Sequence, residues 1–204
     1  FINWFNKYQP RRLPSNPTYS TPISDLINPP SSRSMRSFHD KKNILFLNNN
    51  FIKDRVLLFL SLEKRMHVDS FGKLFNNSPT GPMRGSEFDK HVLMQDFKFI
   101  ISMENSFFPG YNTEKIIQPY AAGCIPIYSG GLDNTIFNKK SMIFAPDYLS
   151  SDDLASHICE VAESETRWHE IINQPLFLDN KIPERFIPDF IVNWLSIHID
   201  AFLS

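Results

Sequence analysis

Short apolar runs alternate with amphipathic stretches along the chain from Asn43 onwards. Short runs of this kind predict buried strands, and apolar residues at helical spacing between them predict helices. The predicted strands are Ile44–Leu47, Met66–Ser70, Phe97–Met103, Ile125–Tyr128 and Met142–Phe144. The predicted helices are Ile52–Arg65, Glu87–Asp96, Thr113–Ala122, Ser151–Ser164, Glu165–Asn173 and Pro188–Phe202. Because strands alternate with helices, the pattern predicts an α/β fold with a doubly wound parallel sheet flanked by helices.

The first 42 residues differ in composition from the rest of the chain. They hold six of the fifteen prolines and no glycine, and seven Lys and Arg residues against two Asp give them a net charge of +5. Frequent proline prevents long regular elements. We therefore interpret residues 1–42 as an extended basic arm and residues 43–204 as the folded domain. A second interpretation of the arm is contact with a membrane surface or an acidic partner.

Several functional classes find no support in the composition or the motifs. The net charge of −1 gives no indication of nucleic-acid binding, and two cysteines do not form a disulfide framework. The chain lacks a GxGxxG fingerprint, a Walker A loop and a GxSxG elbow. Its six histidines show no metal-ligand spacing, and Asp152-Asp153 is interpreted as a helix cap rather than a metal site. No metal and no cofactor are predicted.

The segment from Phe97 to Gly130 carries the most chemical information. It is predicted as strand, polar turn, helix and strand, an arrangement that binds nucleotides or phosphates in open α/β sheets. Lys115 falls in the first turn of the helix, where a cation opposes the helix dipole unless an anion is also present. The alternative is a solvated lysine. Glu114 is a candidate acceptor for ribose hydroxyls, or it simply complements the dipole.

Three other residues are candidates for the same crevice. Arg55 follows a strand and an Asn-rich turn, so it is either a phosphate clamp or a surface arginine. Asn105 and Tyr111 lie on the turn that precedes the Thr113 helix. Either residue binds a ligand or satisfies the hydrogen bonds of the turn.

The segments that carry these candidates are similar to those of one enzyme family. Phe97-Lys98-Phe99, Met103-Glu104-Asn105-Ser106, Tyr111, Thr113-Glu114-Lys115, Ala122-Gly123 and Ile125-Pro126-Ile127-Tyr128 resemble the α1,3/α1,4-fucosyltransferases of glycosyltransferase family 10. Val68-Asp69-Ser70-Phe71-Gly72 and Phe137-Asn138-Lys139-Lys140-Ser141 extend the match, and Arg55 stands at the spacing of the family's donor-phosphate arginine. The resemblance covers roughly residues 43–175.

The resemblance implies a Rossmann-like, GDP-fucose-binding domain that forms the C-terminal half of a GT-B glycosyltransferase. Arg55 and Lys115 would hold the diphosphate and stabilise the leaving group, Glu114 and Asn105 would bind the ribose, and Tyr111 and Thr113 would complete the donor site. The implied reaction is an inverting transfer of L-fucose from GDP-fucose to a hydroxyl of an N-acetylglucosamine-containing glycan, with no metal.

The chain departs from the family pattern in three respects. Ser129 replaces the Trp of bacterial relatives and Pro119 interrupts the helix, and both bear on donor geometry and sugar specificity. The family's catalytic base lies in an N-terminal acceptor domain, of which residues 1–42 would be a remnant, and neither Asp25 nor Asp40 is a credible base. A non-catalytic GDP-sugar-binding module, a truncated transferase and a transferase for a different GDP-sugar therefore remain alternatives.

The spelling of the motifs favours bacterial or viral relatives and hence a cytoplasmic location. Because the chain begins with Phe1 rather than Met, we expect a fragment or a processed product. If an upstream anchor is missing, a Golgi membrane location follows instead.

Overall fold

The computed structural model describes residues 24–30, 36–83, 87–184 and 187–203. A five-stranded sheet lies at its centre, in the order β2-β1-β3-β4-β5, with every neighbouring pair parallel. The strands are β1 (Lys42–Phe46), β2 (Val68–Ser70), β3 (Phe97–Ile101), β4 (Ile125–Tyr128) and β5 (Ile143–Phe144). The helices are α1 (Ser24–Ile27), α2 (Lys53–Glu63), α3 (Glu87–Met94), α4 (Glu114–Ala121), α5 (Ser151–Ala162), α6 (Glu165–Ile172) and α7 (Pro188–Leu203). The predicted Rossmann-like parallel sheet is confirmed.

The apolar strands are buried on both faces, as expected for a parallel sheet covered by helices. Ile44 and Phe46 of β1 join one hydrophobic cluster with α2, α5 and α6, while Leu45 between them joins another with Met94 of α3. Successive side chains of a strand point to opposite faces, so a continuous apolar run supplies both layers of the core. Trp168 of α6 is fully buried in the first layer.

Helix α4 begins and ends at the predicted signals. The Thr113 side chain caps its N-terminus by accepting from the backbone N–H of Lys115, and Gly123 follows its C-terminus with φ +69°. Pro119 lies inside α4 and the helix continues to Ala121. Proline has no N–H to donate to the carbonyl of Lys115, four residues earlier. The hydroxyl of Ser102, just after β3, donates to that carbonyl instead at 2.5 Å.

The described part of the predicted arm packs on the domain. Leu26 of α1 is buried with Ile116 and Tyr120 of α4, and Phe38 is buried against Trp168. Lys42 already belongs to β1. Residues 1–23 and 31–35, which carry much of the arm's basic charge, lie outside the described residues, and the predicted membrane-surface contact stays a prediction.

Helix α7 exposes many apolar side chains. Trp194 is 49% exposed and Ile197 is 65% exposed. Among the residues that the structure describes, no helix is both long and apolar enough to span a membrane.

Candidate functional site

The strand order places a crevice between β1 and β3. From β1 the chain moves outward to β2, whereas from β3 it moves in the opposite direction to β4, so the two connecting segments diverge at this point. Ligands of open α/β sheets bind at such a switch point, outside the carboxyl ends of the strands. A cavity lies there, and its lining includes the cations Arg55, Lys90 and Lys115 together with Glu114.

The turns after β1 and β2 meet closely beside this cavity. A side chain at Gly72 would place its Cβ 2.1 Å from the Asn48 carbonyl oxygen, so only glycine fits there. The Phe71 N–H donates to the Phe46 carbonyl at 3.0 Å and fixes the approach. This contact sets one wall of the crevice.

Arg55 in the first turn of α2 reaches across the crevice. Its guanidinium donates to Asn48 Oδ1 at 2.8 Å, to Asn105 Oδ1 at 2.6 Å and to the Met103 carbonyl. The residue is 8% exposed, and its Nε is buried without a hydrogen-bond partner among the described residues. Burial lowers the pKa of Arg55, and the nearby Glu104 carboxylate partly opposes this change. Arg55 is therefore buried beside the crevice and is not a surface arginine.

Glu104 organises the opposite side of the crevice, where the loop enters α4. Its side chain is 1% exposed. Glu104 Oε1 accepts from the Thr113 backbone N–H at 2.9 Å, from the Thr113 hydroxyl at 2.8 Å and from the Tyr128 hydroxyl at 3.1 Å. One carboxylate thus joins the end of β3, the start of α4 and the end of β4.

Lys115 is held between two carboxylates at the start of α4. Its Nζ lies 2.9 Å from Glu114 Oε1 and 3.4 Å from Glu104 Oε2, and it donates to the Thr113 hydroxyl at 3.2 Å. Burial alone would lower the pKa of Lys115, but Glu114 and Glu104 together raise it. Burial likewise opposes ionisation of Glu114, but its bond to Lys115 lowers its pKa overall. The Lys115 side chain is 24% exposed, so this is a held cation rather than a solvated lysine.

The loop between β3 and α4 carries the remaining predicted residues. Asn105 contacts Arg55 directly, whereas Tyr111 is 43% exposed on the same loop. The loop is fixed to the segment after β4, because the Gly110 N–H donates to the Gly131 carbonyl at 2.8 Å. A Cβ at Gly131 would lie 1.5 Å from the Phe108 carbonyl oxygen. The structure thus brings Arg55 to Asn105 and groups Thr113, Glu114 and Lys115, with Tyr111 at the exposed part of the loop.

Sequence reasoning assigned no role to Glu104 or Ser102. Both lie directly after β3, and a carboxylate that follows an apolar strand without a break was the signal available for Glu104. Ser129, which departs from the family pattern, takes part through its backbone: its carbonyl accepts from the Glu104 N–H at 2.7 Å. Asp152, considered as half of a metal-binding pair, forms an ion pair with Arg65 at 3.2 Å. The Ser150 side chain caps α5 by accepting from the backbone N–H of Asp153.

The family is decided by the extent of the match between the chain and a family model. The model described as glycosyltransferase family 10 (fucosyltransferase), C-terminal, matches residues 39–173, which include the crevice and the loops around it. The chain belongs to this family.

Its relatives include viral and animal enzymes. It is 34% identical over 169 residues to a protein named as a fucosyltransferase of Acanthamoeba polyphaga mimivirus, covering 78% of this chain and 27% of the relative. GDP-fucose protein O-fucosyltransferase 3 of Xenopus laevis is 27% identical and covers 60% of this chain and 28% of its own length. Alpha-(1,3)-fucosyltransferase B of Drosophila melanogaster is 23% identical, and the match covers 75% of this chain and 37% of the relative.

Solved structures of α1,3-fucosyltransferase share the fold. One, determined with GDP-fucose, gives a TM-score of 0.62 at 21% identity and covers 78% of this chain and 48% of that one. Another gives a TM-score of 0.62 at 24% identity, with coverages of 72% and 41%. The chain spans less than half of the length of these proteins.

Proposed function

We propose that this domain binds the diphosphate of GDP-fucose and that the protein to which it belongs transfers L-fucose. The observation that carries the proposal is a pair of cations at the crevice at the switch point of the sheet: Arg55, which is buried, and Lys115, which is partly buried and held by two carboxylates. The positive, N-terminal end of the α4 dipole would also stabilise an anion there. Solved relatives of the same fold were determined with GDP and with GDP-fucose.

The buried Nε of Arg55 supports a phosphate ligand in particular. A guanidinium binds an anion in bidentate fashion through neighbouring N–H groups, and two of its nitrogens are already occupied by Asn48, Asn105 and the Met103 carbonyl. A small movement of Asn105 on its exposed loop frees an N–H edge of the guanidinium for a phosphate oxygen. Asn105 would then be released to the ribose, as the family resemblance implies.

In the proposed reaction the acceptor hydroxyl attacks C1 of fucose from the face opposite the phosphate. The bond between C1 and the phosphate oxygen breaks, GDP leaves with its electron pair, the acceptor proton passes to a base, and the anomeric configuration inverts. Arg55 and Lys115 stabilise the negative charge that develops on the diphosphate. Fixed charges of this kind are worth most where little water is present.

We propose an N-acetylglucosamine-containing glycan as the acceptor. The Drosophila relative's name supports an α1,3-linkage, whereas the Xenopus relative's name favours a second candidate, a hydroxyl of a protein. Incubation of the protein with GDP-fucose and either a glycan or a protein acceptor, followed by mass spectrometry, separates the two. Fucose on the protein acceptor alone would replace the first candidate with the second.

Titration calorimetry of this chain with GDP tests the donor site directly. We expect a Kd on the order of micromolar for the wild type and binding that is about 30-fold weaker, but still measurable, in Lys115→Ala. Lys139→Ala serves as a matched control, because Lys139 pairs with Asp147 at an exposed position away from the crevice. A folded wild-type chain that does not bind GDP would overturn the proposal, whereas GDP binding without fucosyl transfer would favour a non-catalytic module.

A further inference from the structure

Glu104 is the most deeply buried charged group of the crevice, and the family resemblance assigned it no role. Its side chain is 1% exposed and does not itself line the cavity, whereas Lys115 does. It lies directly behind Lys115, whose Nζ is 3.4 Å from Glu104 Oε2. A buried carboxylate is costly unless it is paired and hydrogen-bonded. Its position therefore requires a reason beyond solubility.

Capping alone does not require a charge at this position. The Thr113 N–H, the Thr113 hydroxyl and the Tyr128 hydroxyl are neutral donors. The amide oxygen of a glutamine has two lone pairs and can accept from the Thr113 N–H and one of the hydroxyls. Lys115 is the group that needs the negative charge. Glu104 also partly opposes the lowering of the Arg55 pKa by burial, so its field reaches the second cation of the crevice.

The other carboxylate that contacts Lys115 is less suited to hold it in place. The Glu114 side chain is 42% exposed, compared with 1% for Glu104, and the resemblance assigns Glu114 to the ribose. When Glu114 turns to a ribose hydroxyl, Glu104 is the carboxylate that still contacts Lys115. A lysine is a point charge on a flexible side chain. A rigid partner that already holds it reduces the conformational entropy that it loses when it binds phosphate.

We propose that Glu104 is a positioning residue for the donor diphosphate. It holds the Lys115 ammonium at the N-terminus of α4, where the ammonium contacts a phosphate oxygen. This inference rests on the proposed function, because it requires a diphosphate in the crevice. Glu104 does not contact the ligand itself; it acts through Lys115.

The test is a double-mutant cycle between Glu104→Gln and Lys115→Ala, read by titration with GDP and with guanosine. In the wild-type background we expect Glu104→Gln to weaken GDP binding about tenfold, within the range of couplings between contacting groups. In the Lys115→Ala background the same change should weaken GDP binding no further. Guanosine, which has no phosphate, should bind equally to the wild type and to Glu104→Gln.

A merely structural role of Glu104 gives a different pattern. Damage to the start of α4 would weaken guanosine and GDP alike and would persist without Lys115, and that result would overturn the proposal. Equal or tighter GDP binding by Glu104→Gln would overturn it too. If wild-type GDP binding is absent, the proposed function fails instead, so the two failures are distinguishable.

Two further variants control for the possibility that a change at Glu104 weakens GDP binding by disturbing the fold. Tyr128→Phe removes a hydrogen bond to the same carboxylate but leaves its contact with Lys115, so GDP binding should stay within about twofold. Glu104→Asp retains the charge with a shorter side chain. Glu104→Asp should bind GDP more tightly than Glu104→Gln. If Glu104→Gln does not fold, Glu104→Asp serves in its place: it should bind GDP less tightly than the wild type and bind guanosine equally.

Discussion

The two ends of strands β1 and β3 both bury cations, but they satisfy them differently. At the amino end, Lys41 donates to the carbonyls of Gln95 and Phe97, and Lys98 donates to Asn43 and to the Ala162 carbonyl. Lys98 Nζ also lies 3.7 Å from the centre of the Phe38 ring. The hydrogen-bond acceptors of these two lysines among the described residues are neutral carbonyl and amide oxygens.

At the carboxyl end, the cations face a cavity and carboxylates instead. Lys115 is held by Glu104 and Glu114, and Arg55 keeps a buried N–H without a partner in the described part of the chain. Burial lowers the pKa of Lys98, whereas the carboxylates raise that of Lys115. A buried cation alone is therefore weak evidence for a site. An unsatisfied donor beside a cavity distinguishes the end that we propose to bind GDP from the other end.

The largest expected effect separates binding from stability. Arg55→Gln should weaken GDP binding by about 100-fold, or about 3 kcal/mol, because a desolvated charge contact with phosphate is lost. Lys98→Met should leave GDP affinity unchanged but lower the free energy of unfolding by about 2 kcal/mol, since the buried Ala162 carbonyl and the half-buried Asn43 side chain lose their donor. Calorimetry and urea denaturation measure the two quantities. Arg65→Gln, which removes a partly exposed arginine just after α2, is the control. Loss of GDP binding in Lys98→Met would erase the distinction between the ends.

A smaller effect concerns how α4 is fixed to the sheet. Ser102→Ala removes the donor to the Lys115 carbonyl, and we expect a loss of about 1 kcal/mol in urea denaturation. Pro119→Ala restores an N–H four residues after that carbonyl, so the double variant should recover much of the loss. Equal losses in Ser102→Ala with and without Pro119 would show that the proline does not create the need for Ser102.

The smallest expected effect is that the contributions of Lys115 and Lys98 to the free energy of unfolding change in opposite directions at alkaline pH. The raised pKa of Lys115 gives stability that is present below its ordinary value of 10.5 and is lost as pH rises through the folded-state pKa. The lowered pKa of Lys98 does the reverse, because the unfolded state binds the proton more tightly and stability rises as pH approaches 10.5. Urea denaturation of wild type, Lys115→Met and Lys98→Met from about pH 8 to 11 compares them. As pH rises, the free energy of unfolding of the wild type should fall relative to that of Lys115→Met. Over the same range it should rise relative to that of Lys98→Met. Parallel changes in both comparisons would contradict the assignment.

Local sequence signals predicted the elements well. The strand Ile125–Tyr128 matches β4 in full, and Thr113 and Gly123 bound α4 as predicted. Element ends were less accurate, since Phe97–Met103 was predicted as strand but β3 ends at Ile101. The apolar run continues past the last paired residue, because pairing depends on the neighbouring strand rather than on local composition.

The sequence by itself determined the fold class, the family and the segment from Phe97 to Gly130 as the place to look, because apolar period, caps and motif spelling are local properties. Only the tertiary structure decided which polar residues are buried there. Arg55 and Asn105 are 50 positions apart yet bond directly, and Glu104 became the partner of Lys115 only when β3 and α4 met. Burial and long-range pairing depend on packing between distant segments, which local pattern does not encode.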